Sequence, residues 1–377
     1  MIIKEFNHQK GHHCVSTTTR DLIHHAGIPL SEEMVFGLDA SIGFIYMDKD
    51  SENNLYSEGQ DIPIFLGGLT GMISEDSLVC KILGLNIDMD RPSSSDLAWD
   101  SSREILDQGH PLGIQVEMGY LPYILDAEDE EFYFGGHVIS LIGYDEEKRV
   151  AYVCDTDWEG HLEIQINQLK KARNSKRGTK WLQPHNMQYH ISERPDGKKP
   201  PIARAIKLAT QKAARNMIAA SMNFQGIPGL NLMVKSIAKW EESLQGTIVT
   251  GLGDKKIPKA QFAFEMIYGF IEDFGTGGAC FRNMYSDFLE ELRTSEYILD
   301  GPHAWKKDEL DLLEESKDLI SESALEWTGF AEELKIAINE GGTKCLDFVD
   351  LEELAKKASN IARLEEAGFK TLFKIKL

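Results

Sequence analysis

The chain has 377 residues, 42% of them hydrophobic and 27% charged, enough for two domains that each bury a core. A net charge of −21 argues against a nucleic-acid binder, which needs a clustered basic face. No basic stretch leads into an apolar one near Met1 and no apolar run is long enough to span a bilayer, so neither secretion nor a membrane location is expected.

Five cysteines at wide, unpatterned spacings (Cys14, Cys80, Cys154, Cys280, Cys345) support neither a disulfide framework nor a zinc site, and fit free thiols in a reducing cytoplasm. In chain order, Ser16 to His25 reads as a helix. The segments 112–118, 138–144 and 149–154 alternate like strands, the last two joined by the polar turn Asp145-Glu146-Glu147-Lys148, and 162–166 alternates again. Between Leu169 and Arg215, 13 Lys or Arg face only Glu193 and Asp196, and the run Arg194 to Pro201 carries three prolines, which stop helices and central strands alike. The domain junction is therefore expected there, giving domains 1–195 and 196–377. Beyond it the spacing is helical: 202–222, 230–245, 259–274, 278–292, 310–338 with one interruption, and 350–367. The expected class is α+β, with an antiparallel sheet in the first domain and a mainly α-helical second domain.

The chemistry-bearing residues are dispersed. Cys14, in Gly11-His12-His13-Cys14-Val15-Ser16-Thr17, stands where a loop enters a helix, whose positive end favours a thiolate. By itself such a cysteine is more often a packing residue. His137 opens an apolar strand after Gly135-Gly136, and Asp155 closes its expected antiparallel neighbour, so imidazole and carboxylate meet at one end of the sheet. Asp157 is the alternative acid. His8, His12, His13, His24 and His25 crowd the N-terminus, but without an HExxH pattern they do not predict a metal site. Gly275-Thr276-Gly277-Gly278 followed by Arg282 reads either as an anion-binding loop, Gly277 and Gly278 offering amides and Arg282 a fork, or as a helix cap and tight crossing.

The order of Cys14, His137 and Asp155 resembles the papain-like fold, in particular its bacteriocin-processing branch. More closely, the chain resembles the butirosin biosynthesis H protein family. That resemblance is carried by 11–17, Phe36-Gly37-Leu38, Gly43-Phe44-Ile45-Tyr46, Gly119-Tyr120-Leu121-Pro122-Tyr123, Gly136-His137 and 274–285. It implies a papain-like catalytic domain followed by a helical domain. It also implies a cysteine-dependent acyltransferase of antibiotic biosynthesis, moving an acyl group from the phosphopantetheine thioester of a carrier protein to an aminoglycoside-like amine. No bound cofactor is expected, the pantetheine arm being part of the substrate. The papain-like pattern points to Gln9, five residues before Cys14, as a side-chain oxyanion donor, and Tyr120 joins Gly277, Gly278 and Arg282 as a substrate-binding candidate. The basic segment 169–215 would steer an acidic carrier protein, and the helical domain has surface enough for a homodimer. A peptidase or amidase would use the same three residues with water as acceptor, and a non-catalytic binding protein would keep the fold alone.

Overall fold

A computed structural model describes residues 1–48, 63–68, 73–124, 134–178, 180–194, 197, 200–249, 256–301 and 303–376. The chain divides into two compact units, Met1–Val35 with Met72–Pro200 and Phe36–Gly71 with Pro201–Leu377. The junction expected between 195 and 196 falls at positions outside the described residues. Segment 36–71, expected in the first domain, packs with the second unit.

In chain order the elements begin with α1 (Cys14–His25), α2 (Glu32–Leu38), β1 (Ile45–Asp48), β2 (Ile64–Gly67), α3 (Leu78–Leu83), β3 (Leu85–Asp90) and α4 (Ser95–Asp107). Next come β4 (Leu112–Val116), β5 (His137–Asp145), β6 (Val150–Cys154), β7 (Leu162–Gln165), α5 (Ile166–Arg173) and β8 (Gln188–Glu193). In the first unit six strands form one antiparallel sheet in the order β3-β8-β4-β5-β6-β7. Directly opposed residues share a face. Leu112 opposite Leu141 and Ile114 opposite Ile139 therefore build one apolar surface with Val153 and Ile164, covered by Trp99 and Leu106 of α4 and Leu169 and Ala172 of α5.

Helix α1 packs on the sheet through side chains that are polar by sequence. Ser16 through Ile23 are all buried, a run rich in β-branched threonines that only tertiary contacts hold helical. Thr18 Oγ1 donates to the Val138 carbonyl at 3.3 Å, and Thr19 Oγ1 meets the Tyr189 hydroxyl at 3.1 Å. Strand β5 bulges between Leu141 and Gly143, where Ile3 N–H reaches the Ile142 carbonyl at 3.0 Å. A Cβ on Gly143 would lie 2.6 Å from the Met1 carbonyl oxygen, so glycine is what lets the N-terminal residues cross this closely.

The second unit opens with the antiparallel pair β1–β2 and continues through α6 (Ile202–Ile218), α7 (Gly226–Ile237), α8 (Trp240–Ser243), β9 (Thr247–Val249), β10 (Lys256–Pro258), α9 (Lys259–Tyr268) and α10 (Arg282–Thr294). It ends with α11 (Glu296–Leu299), α12 (Lys307–Gly341) and α13 (Leu351–Phe373). Trp240, Phe264, Phe288, Trp327 and Phe330 fill its interior. The helix expected over 259–274 is met by α9 and a π-helical turn that continues it over Gly269–Asp273, whereas one expectation is corrected: α12 runs 35 residues without the expected interruption. Gly329 inside α12 costs about 1 kcal/mol relative to Ala, which burial of Trp327, Phe330 and Ala331 outweighs. Among the described residues no helix is long and apolar enough to cross a membrane.

Candidate active site

Cys14, His137 and Asp155 come from a helix start, a strand start and a strand end, and the first unit brings them together. Cys14 is the first residue of α1, half-buried, while the four other cysteines are buried. His137 opens β5 and Asp155 follows the last residue of β6. His137 Nε2 lies 2.8 and 2.9 Å from the two Asp155 carboxylate oxygens, and the Cys14 thiol is a further hydrogen-bond partner of the ring.

Burial by itself would discharge this imidazole. The charge and hydrogen bond of Asp155, with the Cys14 contact added, outweigh it and push His137 up to about 10. The sign follows from linkage. This group binds its proton more tightly folded than unfolded, so its stabilisation is complete below the ordinary histidine range and is lost as pH rises through about 10. The alternative acid, Asp157, is exposed.

Around this set are residues that sequence reasoning gave no role. Tyr123 donates its hydroxyl to Asp155 Oδ2 at 3.0 Å and stands edge-on to Trp158, with ring centroids 5.0 Å apart. Thr156 N–H donates to Asp155 Oδ1 at 2.7 Å. Each carboxylate oxygen thus has a second donor besides His137, which fixes its plane. Nothing local marks Tyr123, because its partner lies 32 residues away.

Buried Glu32 holds the loop that presents Cys14. Its Oε2 accepts from His12 N–H and its Oε1 from His13 N–H, each at 2.8 Å, and Oε1 also accepts the Ser16 hydroxyl at 2.7 Å. Two of the amides at the helix entrance are therefore spent on a carboxylate. His13 caps α1 by accepting the Ser16 N–H at Nδ1, a role that needs an unprotonated nitrogen. Burial, with His137 nearby acting in the same direction and Glu32 opposing, lowers His13 to about 4. Three of the other N-terminal histidines are separately engaged: His8 with Asp21, His24 with Asn7 and His25 with the Gly109 carbonyl.

Other candidates are placed differently. Arg282 is fully buried in the second unit, where Nε and Nη2 grip Glu365 at 2.7 and 2.8 Å and Nη1 donates to the carbonyls of Gly43 and Cys280. It is a structural tie, and the anion-binding fork expected of it is corrected on that ground. Gly277 and Gly278 have φ of +65° and +83°, followed by Ala279, Cys280 and Phe281, all left-handed as well. Gly278 N–H is spent on Thr276 Oγ1 at 3.1 Å, and the turn aims the Cys280 carbonyl at Arg282 instead of cradling an anion. Tyr120 packs against the core of the first unit with Arg177 5.6 Å above its ring. Gln9 is exposed, its carbonyl held by Arg20.

Several described cations of the basic segment are already engaged. Arg173 is buried and donates to Ser102 Oγ at 2.9 Å and Gln188 Oε1 at 2.6 Å, while Lys170 pairs with Asp96 at 2.8 Å and Lys207 with Glu309 at 2.6 Å.

Comparison with known families places residues 13–156 against the N-terminal domain of butirosin biosynthesis protein H and residues 167–372 against a domain of unknown function, DUF4872. The first match spans Cys14, His137 and Asp155. A search of curated proteins finds no match.

Proposed function

For a chain that belongs to the butirosin biosynthesis protein H family, we propose cysteine-dependent acyl transfer from a carrier-protein thioester to an amine, with Cys14 as nucleophile. The observation that carries this reading is the bidentate Asp155–His137 contact, on a ring that the Cys14 thiol also acts on. On this reading the fold around the site is papain-like.

His137 takes the proton of Cys14, and Sγ attacks the thioester carbonyl. Collapse of the tetrahedral adduct breaks the bond to the pantetheine sulfur, which leaves with the His137 proton, and an acyl-Cys14 thioester remains. The acceptor amine then attacks that carbonyl and gives its proton to His137. A C–N bond forms, the bond to Sγ breaks, and the amide departs. The N–H of Cys14, in the first turn of α1, is the oxyanion donor, with the Gln9 side-chain amide as the second. Tyr120, in the 3₁₀ turn Met118–Tyr120 of the same unit, is the substrate contact retained from the sequence reading. Carrier docking is reduced to the exposed cations of the basic segment, such as Lys171 and Lys176.

The test is intact-mass analysis after incubation with acyl-carrier thioesters. The expected result is an acyl adduct on the wild type, absent from Cys14→Ala and discharged by an amine. No adduct across a broad acyl panel contradicts transfer. Cleavage of peptides or amides that is lost in Cys14→Ala favours the hydrolase instead.

A further inference from the structure

The first unit holds a second buried histidine–carboxylate pair, and it bears on the site from behind. His8 Nδ1 lies 2.6 Å from Asp21 Oδ2, and its Nε2 lies 2.9 Å from the Trp158 carbonyl and 3.1 Å from the Asp155 carbonyl. The His8 and Asp21 side chains are only 4% and 1% exposed. All three partners are acceptors, so both ring nitrogens must carry hydrogen, and the ring is an imidazolium. Asp21 lies on α1, seven residues after Cys14, and the two carbonyls belong to the turn that begins with Asp155. The same strap is pinned twice more, by Gly11 N–H to the Thr156 carbonyl at 3.1 Å and by Arg20 to the carbonyls of Gln9 and Lys10.

We infer that His8 is a positioning residue: as an imidazolium it clamps the Asp155–Trp158 turn to the helix that carries Cys14, and so sets the alignment of Asp155 on His137. The inference rests on Cys14, His137 and Asp155 being the reactive set, but not on the identity of acyl donor or acceptor. The alternative of a purely structural staple would tie chain to chain with no effect on His137. The charged and titratable neighbours of the clamp are Asp21 and Arg20 from α1, Cys154 at the end of β6 with Asp155 after it, Asp157 in the clamped turn, and Lys10 on the strap, whose amine pairs with Glu159, with His24 reached through Asn7. Burial opposes a charged His8, while the hydrogen bond and charge of Asp21 and the two carbonyls hold its proton above the ordinary histidine range.

The experiment is a pH titration of the full-length chain labelled with ¹⁵N at its histidine rings, which requires no substrate. At pH 7 both His8 nitrogens are expected to be protonated. His8→Phe, which fills the space and donates nothing, is expected to move the His137 titration down from about 10 towards 6.5, and to slow alkylation of Cys14 at pH 6 by about tenfold or more, since small misplacements at reacting groups carry penalties up to about a hundredfold. Asp21→Asn keeps the shape but removes the charge. His8 should then titrate lower, and above that titration, where its ring is neutral and the ionic link to Asp21 is gone, His137 should shift and Cys14 alkylation slow in the same direction as in His8→Phe. A singly protonated His8 at pH 7 overturns the proposal, as does a folded His8→Phe with unchanged His137 titration and alkylation. Failure of acyl transfer alone, with these titrations as expected, would count against the proposed function and leave the clamp standing.

Discussion

Each unit of the molecule buries a carboxylate against a cation, and the two pairs differ in what their cations have left to do. In Arg282–Glu365 the guanidinium makes four donor contacts with Glu365 and two carbonyls, and Glu365 Oε1 also accepts the Trp327 indole N–H at 2.7 Å and the Ser323 hydroxyl at 3.1 Å. The charge is permanent and the network closed. In His137–Asp155 the cation is titratable, one nitrogen is held by the carboxylate, and a thiol acts on the same ring. Burial and pairing are common to both. A titratable ring with a reactive neighbour is what separates a site from a staple.

Breaking each pair should sharpen that contrast. The largest effect is expected for Asp155→Asn: the ring loses the charge that orients and protonates it, and thioester turnover should fall roughly ten-thousand-fold with the fold retained. Turnover within a few-fold of wild type would remove Asp155 from the mechanism. Glu365→Gln leaves the Arg282 charge buried without its counter-ion and should cost about 3–5 kcal/mol of stability in chemical denaturation, while Cys14 alkylation of the protein that remains folded is unchanged. A stability change near zero would mean that the pair is not the closed tie described here. Tyr123→Phe removes one of the hydrogen bonds to Asp155 and is expected to cost about 1.5–3 kcal/mol at most, the range for a hydrogen bond to a charged group. A large rate loss there would make Tyr123 more than a support.

The same contrast explains what the sequence made legible. Alternation marked β4 to β7 within two residues, because each strand there turns one face to a continuous core. Cys14 and His137 stand at element starts, and Asp155 directly after an element end, positions that punctuation and periodicity reveal. Strands β3 and β8 are not legible in the same way. Leu85, Ile87, Tyr189 and Ile191 do alternate as buried residues, but acids interleave β3 and β8 lies within a stretch dominated by its positive charge. The helix that begins with Arg282 is legible from spacing, yet the burial of Arg282 depends on Glu365, 83 residues away, and no local pattern carries that. The supports of the site, Tyr123, Glu32 and His8, are long-range in the same sense.

Alkylation of the five cysteines at pH 6, mapped by mass spectrometry, tests the central claim most directly. Burial pushes the Cys154 and Cys280 thiols up to about 12, so both stay protonated and slow at this pH. A Cys14 sulfur paired with the His137 imidazolium should react well before all the others, and His137→Ala should abolish that lead. Reaction of Cys14 no faster than Cys80 or Cys345, in a folded protein, would contradict the pairing on which the mechanism depends.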